Sequence, residues 1–305
     1  MRAALLYDVE FGSTMRFSPA SFRGGSGCAK NAHANGKMRG SAAPALLLFI
    51  CLLVFVAITV YLFATGFYAP PPPITRVGLQ IDHQYELTLY VTGAAFILAQ
   101  LGLGWAVFRF RDRGKPASFT HGHVGLEIAW TVVTAVAFLG LGALATGAWS
   151  QTRFQSAAAG AIQVEVTEEQ FVYHFRYPGK DGKFGRIDPA LISAPTGNPL
   201  GIDPNDPAGR DDIVVSTLTV PVNHPVELLI RSQDVIHNFF VRELRLQQDA
   251  VPGMVVPLHF TPDRIGRYDI MCTQLCGMGH NQMHSFLNVV SEVDYQKFLA
   301  HAPQP

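Results

Sequence analysis

Between Cys272 and Met283 the chain reads Cys-Thr-Gln-Leu-Cys-Gly-Met-Gly-His-Asn-Gln-Met, and Cys272, Cys276, His280 and Met283 can each ligate a soft or borderline metal. On a helix the first three would share a face, but Gly277 and Gly279 disfavour a helix and suit a loop closing around an ion. Thiolate with imidazole suits zinc or copper, and the thioether of Met283 points to copper. A single blue-copper ion takes one Cys, two His and a weak axial Met, so a second Cys suggests two thiolates bridging two coppers. Such a centre needs a second His. His237, within the apolar run Val235-Ile-His-Asn-Phe-Phe-Val241, supplies it. Two other chemistries stay open: a disulfide between Cys272 and Cys276, or structural zinc held with His237 and His280. His259 and His284 have no partner spacing and read as ordinary hydrogen-bonded histidines.

The ordered set Asp234-Val-x-His237, Asp249-Ala-Val-Pro-Gly253 and Cys-x3-Cys-x3-His-x2-Met resembles subunit II of the cytochrome c oxidase type over roughly residues 85–300. The resemblance implies a dinuclear copper centre (CuA) held by His237, Cys272, Cys276, His280 and Met283, with Gln274 contributing its backbone carbonyl. It also implies a cupredoxin-like fold, a catalytic haem-copper subunit I and a subunit III as partners, and a basic cytochrome c as electron donor. Electrons would pass to haem in subunit I, where dioxygen is reduced and protons move; this subunit alone would not turn over oxygen. Related readings are the CuA subunit of a haem-copper nitric oxide reductase and, in a different class, a membrane-anchored copper-binding or delivery protein. Nitrous oxide reductase, a longer soluble enzyme, fits less well.

Two positions depart from the family. Phe171 stands where an entry tryptophan is usual, which makes Phe171 and Tyr173 the candidates for electron entry. Gln274 replaces a glutamate whose side chain serves a magnesium or manganese ion at the subunit border, so copper contact should survive while the magnesium site loses its carboxylate.

The rest of the chain must hold this loop against a membrane. Of its 305 residues 49% are hydrophobic, the mean hydropathy is +0.20 and the formal net charge is zero. Residues 1–150 hold 11 Lys and Arg against 6 Asp and Glu, and 151–305 hold 12 against 17, so the halves carry about +5 and −5. Nothing resembles a nucleic-acid patch, and an acidic second half would attract a basic soluble partner. Residues 1–44 read as an unstructured tail or an over-extended start. Residues 45–68 are an extra span or signal anchor, favoured as retained, and 85–149 form a transmembrane hairpin with spans at 87–108 and 128–149. The basic run Arg109-Phe-Arg-Asp-Arg-Gly-Lys115 places the intervening loop inside. A bacterial-type inner membrane, crossed several times, would then carry the copper domain on its periplasmic side. Glu127, opening the third span, is either a hydrated residue favoured at the helix N-terminus or a proton-entry group; the resemblance favours proton entry. Cys28 and Cys51 read as incidental, and the absence of Cys-x-x-Cys-His excludes a covalently attached c-type haem.

From residue 160 to 300 the pattern changes to about eight short strands with Pro and Gly punctuation, an all-β sandwich or barrel closed by a helix over 293–299. Residues 178–212, rich in Pro, Gly and Asp, read as an inserted solvated lobe without calcium-loop spacing.

Overall fold

The computed structural model describes residues 42–67, 69–111, 119 and 121–302. The expected tail, up to residue 41 and including Cys28, lies outside the described residues, as do residue 68 and most of the basic loop, 112–118. Three helices carry the apolar runs: α1 (Ala42–Ala64), α2 (Arg76–Arg109) and α3 (Val124–Arg153), each long and apolar enough to cross a membrane. Their large apolar side chains are mostly exposed, the arrangement expected of helices whose solvent is lipid or a partner's helices. α1 packs on α2 through Phe49, which lies over Gly104 in the space a side chain there would fill, and through the edge-on pair Phe55 and Phe96.

α2 begins well before its apolar window. Its 34 residues span about 51 Å at 1.5 Å each, more than a bilayer core of about 30 Å requires. The surplus is the N-terminal part, which is polar and tied to the β domain. Thr75 caps it, accepting from the Gly78 N–H at 2.9 Å. The preceding segment is strapped to the barrel: Ile74 is buried, its N–H donates to the Glu243 carbonyl and its carbonyl accepts from Asp263, both at 2.9 Å. Arg245 completes the joint, donating to Asp82 on α2 at 2.7 and 2.9 Å and to the Pro71 carbonyl at 2.6 Å. At the end of α3, Arg153 donates to the Gln247 carbonyl at 2.7 Å.

The β domain is a sandwich of two five-stranded sheets. Its strands in chain order are β1 (Ile162–Glu169), β2 (Val172–Tyr177), β3 (Ile213–Val215), β4 (Leu218–Pro221), β5 (Val226–Ser232), β6 (His237–Val241), β7 (Leu246–Ala250), β8 (Val256–Phe260), β9 (Gly266–Met271) and β10 (His284–Val290). One sheet has the order β3-β2-β1-β5-β8 and the other β4-β10-β9-β6-β7; β1 with β5 and β4 with β10 pair in parallel, the rest antiparallel. β5 shows why the sequence folds so: Val226, Leu228 and Ile230 alternate inward and are fully buried, while the residues between them are half-exposed. Two strands, β3 and β7, escape the sequence reading. β7 is Leu-Gln-Gln-Asp-Ala, with only its end residues buried, so it lacks an apolar alternation to betray it. The closing helix α4 (Glu292–His301) is capped by Ser291, which accepts from the Asp294 N–H at 3.2 Å.

The inserted lobe is tethered by charge. Arg176 on β2 is fully buried and donates to Glu165 at 2.9 Å, to Asp212 at 2.9 Å through Nε, and to the Gly185 carbonyl at 2.5 Å. Within the lobe, hydrogen bonds from Arg186 and the Asn205 N–H outweigh the effect of burial and hold the Asp203 carboxyl below its ordinary pKa.

Candidate metal centre

β6 begins on His237, and the loop after β9 carries Cys272 to Met283; the sandwich brings both to one end. Cys272, Cys276 and Met283 are buried and His237 is wholly so. A ring nitrogen of His237 and the two sulfurs lie within 4.8 Å of one another. The sulfurs are 3.8 Å apart and both cysteines are free, so the disulfide reading does not hold in this structure. The Gln274 carbonyl lies 3.1 Å from the Cys272 sulfur, and His280 Nδ1 and the Met283 sulfur lie 3.5 and 3.9 Å from the Cys276 sulfur. Gln274, His280 and Met283 thus each approach one of the two sulfurs, while His237, Cys272 and Cys276 form the tight donor group, to which His280 does not belong.

The two nitrogens of His237 are treated differently. Nε2 is 2.6 Å from Asp234 Oδ1, whereas Nδ1 is buried with no hydrogen-bond partner. A carboxylate on Nε2 fixes the proton there and leaves Nδ1 as a lone-pair donor, the arrangement of a metal-ligating histidine with its supporting carboxylate. Burial tends to raise the Asp234 pKa, but the hydrogen bonds from His237, the Gln170 N–H and the Val235 N–H outweigh it and hold the group below its ordinary value. Asp234 therefore stays an acceptor. Burial, with the neighbouring Cys272 thiol, pushes Cys276 up to about 11, so an incoming cation would displace a proton there. These features fit a soft metal: an orphaned buried nitrogen, two sulfurs in reach of a shared ion at about 2.3 Å per bond, and a thioether beside them.

The loop itself is held from β1–β2. Gln170 donates its backbone N–H to Asp234 at 2.8 Å and its side-chain amide to the Cys276 carbonyl at 2.6 Å. Phe171 lies across Gly277 and Gly279, occupying the space where a Cβ on Gly279 would stand, and Gly277 has φ 144°. On the other side Thr273 Oγ1 donates to Asn238 Oδ1 and Asn238 Nδ2 donates to Asp249, both at 2.6 Å, while the Tyr173 hydroxyl donates to the Asn238 carbonyl at 2.9 Å. Of the two aromatic candidates, Phe171 is part-exposed and Tyr173 is buried.

Asp234 and Asp249 stand in the sequence motifs without an assigned role, and no role for Gln170, Asn238 or Thr273 is readable from the sequence. Only Asp234 left a readable signal, an acid three residues before the histidine. His259 and His284 are hydrogen-bonded away from the site, to the Gln155 carbonyl at 2.8 Å and to Asp269 at 3.1 Å. Glu127 is exposed in the first turn of α3, its carboxylate folded back over Gly122, and far along the chain from the loop. Gln274 is exposed, and its carbonyl meets the Cys272 sulfur.

Residues 208–292 match the family model described as cytochrome c oxidase subunit II, periplasmic domain. The "alternative cytochrome c oxidase subunit 2" of Bradyrhizobium diazoefficiens is 35% identical over 258 residues, covering 84% of this chain and 91% of the relative. Cytochrome c oxidase subunit 2 of Cereibacter sphaeroides is 32% identical over 251 residues, 78% of this chain and 80% of that one. Among solved structures, the periplasmic domain of subunit II of the Bradyrhizobium japonicum cytochrome oxidase covers 48% of this chain and 95% of its own, at 23% identity and a TM-score of 0.35.

Proposed function

The chain belongs to the cytochrome c oxidase subunit II family, and from that premise we propose that it is the electron-accepting subunit of a respiratory haem-copper oxidase. The observation that carries this is the buried His237, its Nδ1 unpartnered, with a ring nitrogen within 4.8 Å of two free sulfurs that lie 3.8 Å apart. Six donor positions exceed the four of one tetrahedral ion, so the set would suit two ions rather than one. His237, Cys272, Cys276, His280 and Met283 would hold them, with the Gln274 carbonyl. Copper so held supplies a one-electron couple in which the electron is spread over two metals and little rearrangement accompanies its gain or loss.

This chain's residues do the rest. Asp234 fixes the His237 tautomer, Gln170 pins the Cys276 carbonyl, and the buried sulfurs exclude water. Phe171, packed on the loop and part-exposed, is the contact through which a cytochrome c would deliver its electron. The three apolar helices anchor the domain on the periplasmic side of an inner membrane, beside the catalytic haem-copper subunit and a subunit III. There oxygen is reduced to water and protons are translocated, with Glu127 at the proton-entry mouth. Gln274 presents no carboxylate for a second ion such as magnesium.

The test is elemental analysis and EPR of the purified complex. Two coppers per chain sharing one unpaired electron support the reading; a single-nucleus copper spectrum or preferential zinc loading overturns it. Glu127→Gln should slow proton uptake by the assembled complex, and unchanged uptake removes that role.

A further inference from the structure

The interior of the sandwich holds a carboxyl group that neither the centre nor the core explains. Glu168, near the end of β1, is fully buried, and neither of its side-chain oxygens has a hydrogen-bond partner. A buried polar group without a partner is costly and calls for a role. Its cross-strand partner is Tyr173, so the two side chains leave the same face of the sheet and meet in the interior. Tyr173 feels the negative charge of Glu168 and also that of Cys272 and Cys276, so the phenol lies within electrostatic reach of both the carboxyl and the sulfur pair. Among the described residues, Asp249 on β7 is the charged group facing Glu168 from the opposite sheet. Asp249 is itself exposed and accepts from Asn238, which also receives the Tyr173 hydroxyl and Thr273 of the metal loop.

We propose that Glu168 is a redox-linked proton site: it binds a proton from solvent when the centre gains an electron and returns it when the electron leaves. This rests on the electron-accepting function proposed above. The balance is one electron from the donor and one proton from bulk water onto a Glu168 carboxylate oxygen, both released in the reverse step; Asp249, at the surface in front of Glu168, is the way in and out. An added negative charge at the sulfurs favours the neutral acid in a dry interior where charges are poorly screened. Burial, then the Asp249 charge, already raises the Glu168 pKa well above its ordinary value. An electron at the centre should strengthen proton binding roughly tenfold.

The experiment is redox titration of the copper-loaded full-length chain from acid to alkaline pH, with redox-difference infrared spectra. Wild type should show two flat limits joined by a fall of about 59 mV in total, the one-electron equivalent of tenfold. It should also show a protonated-carboxyl band that shifts in D2O. Glu168→Gln should remove band and fall together, leaving a pH-independent potential near the acid limit. If that variant does not fold, Asp249→Asn serves instead: removing a charge that raises the Glu168 pKa should move the fall to lower pH. A wild-type potential flat with pH, or a fall unchanged in Glu168→Gln or unmoved in Asp249→Asn, overturns the proposal while the copper spectrum stands. Loss of the dinuclear spectrum in wild type overturns the function on which it rests.

Discussion

Asp234 shows how much of a candidate metal site can reside in a group that is not itself a candidate ligand. Its carboxylate takes the Nε2 proton of His237 at 2.6 Å and, through its other oxygen, the N–H of Gln170 at 2.8 Å, so one side chain orients a ligand and registers the strand hairpin that covers the loop. Asp234→Ala should release the ring and lower copper affinity about 10- to 100-fold, read by competition with a chelator. A loss under about threefold would mean that packing alone orients the ring. The Cys, His and Met candidates were legible because their types and spacing are chemical statements, and the Gln274 carbonyl only through the family resemblance. Asp234 was visible only as a letter in a motif, because a hydrogen bond between residues 234 and 237 depends on how the backbone turns into β6. Asn238 and Thr273 lie 35 positions apart and were not legible at all.

The elements answer to packing that the sequence states only in part. β2 carries Arg176 into the interior, where two carboxylates, Glu165 from β1 and Asp212 just before β3, and the Gly185 carbonyl surround it. Removing one partner of such a buried cluster leaves charge uncompensated, so Arg176→Ala should cost about 3–5 kcal/mol, measured by denaturant unfolding. It should also loosen the 178–212 lobe to proteolysis. A loss below about 1 kcal/mol would show that the lobe needs no tether. The metal loop is an element of the same kind, shaped by what lies on it. Gly279→Ala would displace the Phe171 ring, slowing reduction by cytochrome c with the copper content unchanged. Unaltered reduction with a displaced ring would remove Phe171 from the entry route. A sequence announces an apolar strand by its alternation, as in β5; it cannot announce β7, which is held by its neighbours rather than by its own pattern.

At the scale of the molecule, the halves of the chain differ in charge by about +5 and −5 and in solvent. The acidic side should steer a basic donor, so the second-order rate of reduction by cytochrome c should fall severalfold as ionic strength rises from 0.01 to about 0.15 M, where the screening length shrinks from about 30 to 8 Å. A rate independent of salt would place the contact on apolar groups alone. The two halves are joined by the Arg245–Asp82 pair and the Ile74 strap, which fix α2 to the β domain. By itself the sequence determined the three apolar helices, the all-β second half and a cluster of candidate soft-metal donors, because each follows from composition, periodicity or local spacing. Only the tertiary structure decided that Nδ1 of His237 is the free nitrogen, that Phe171 rather than Tyr173 reaches the surface, and that Glu168 is buried without a partner. Each of these depends on contacts between strands distant in the chain, whose side-chain directions are set by register and sheet packing.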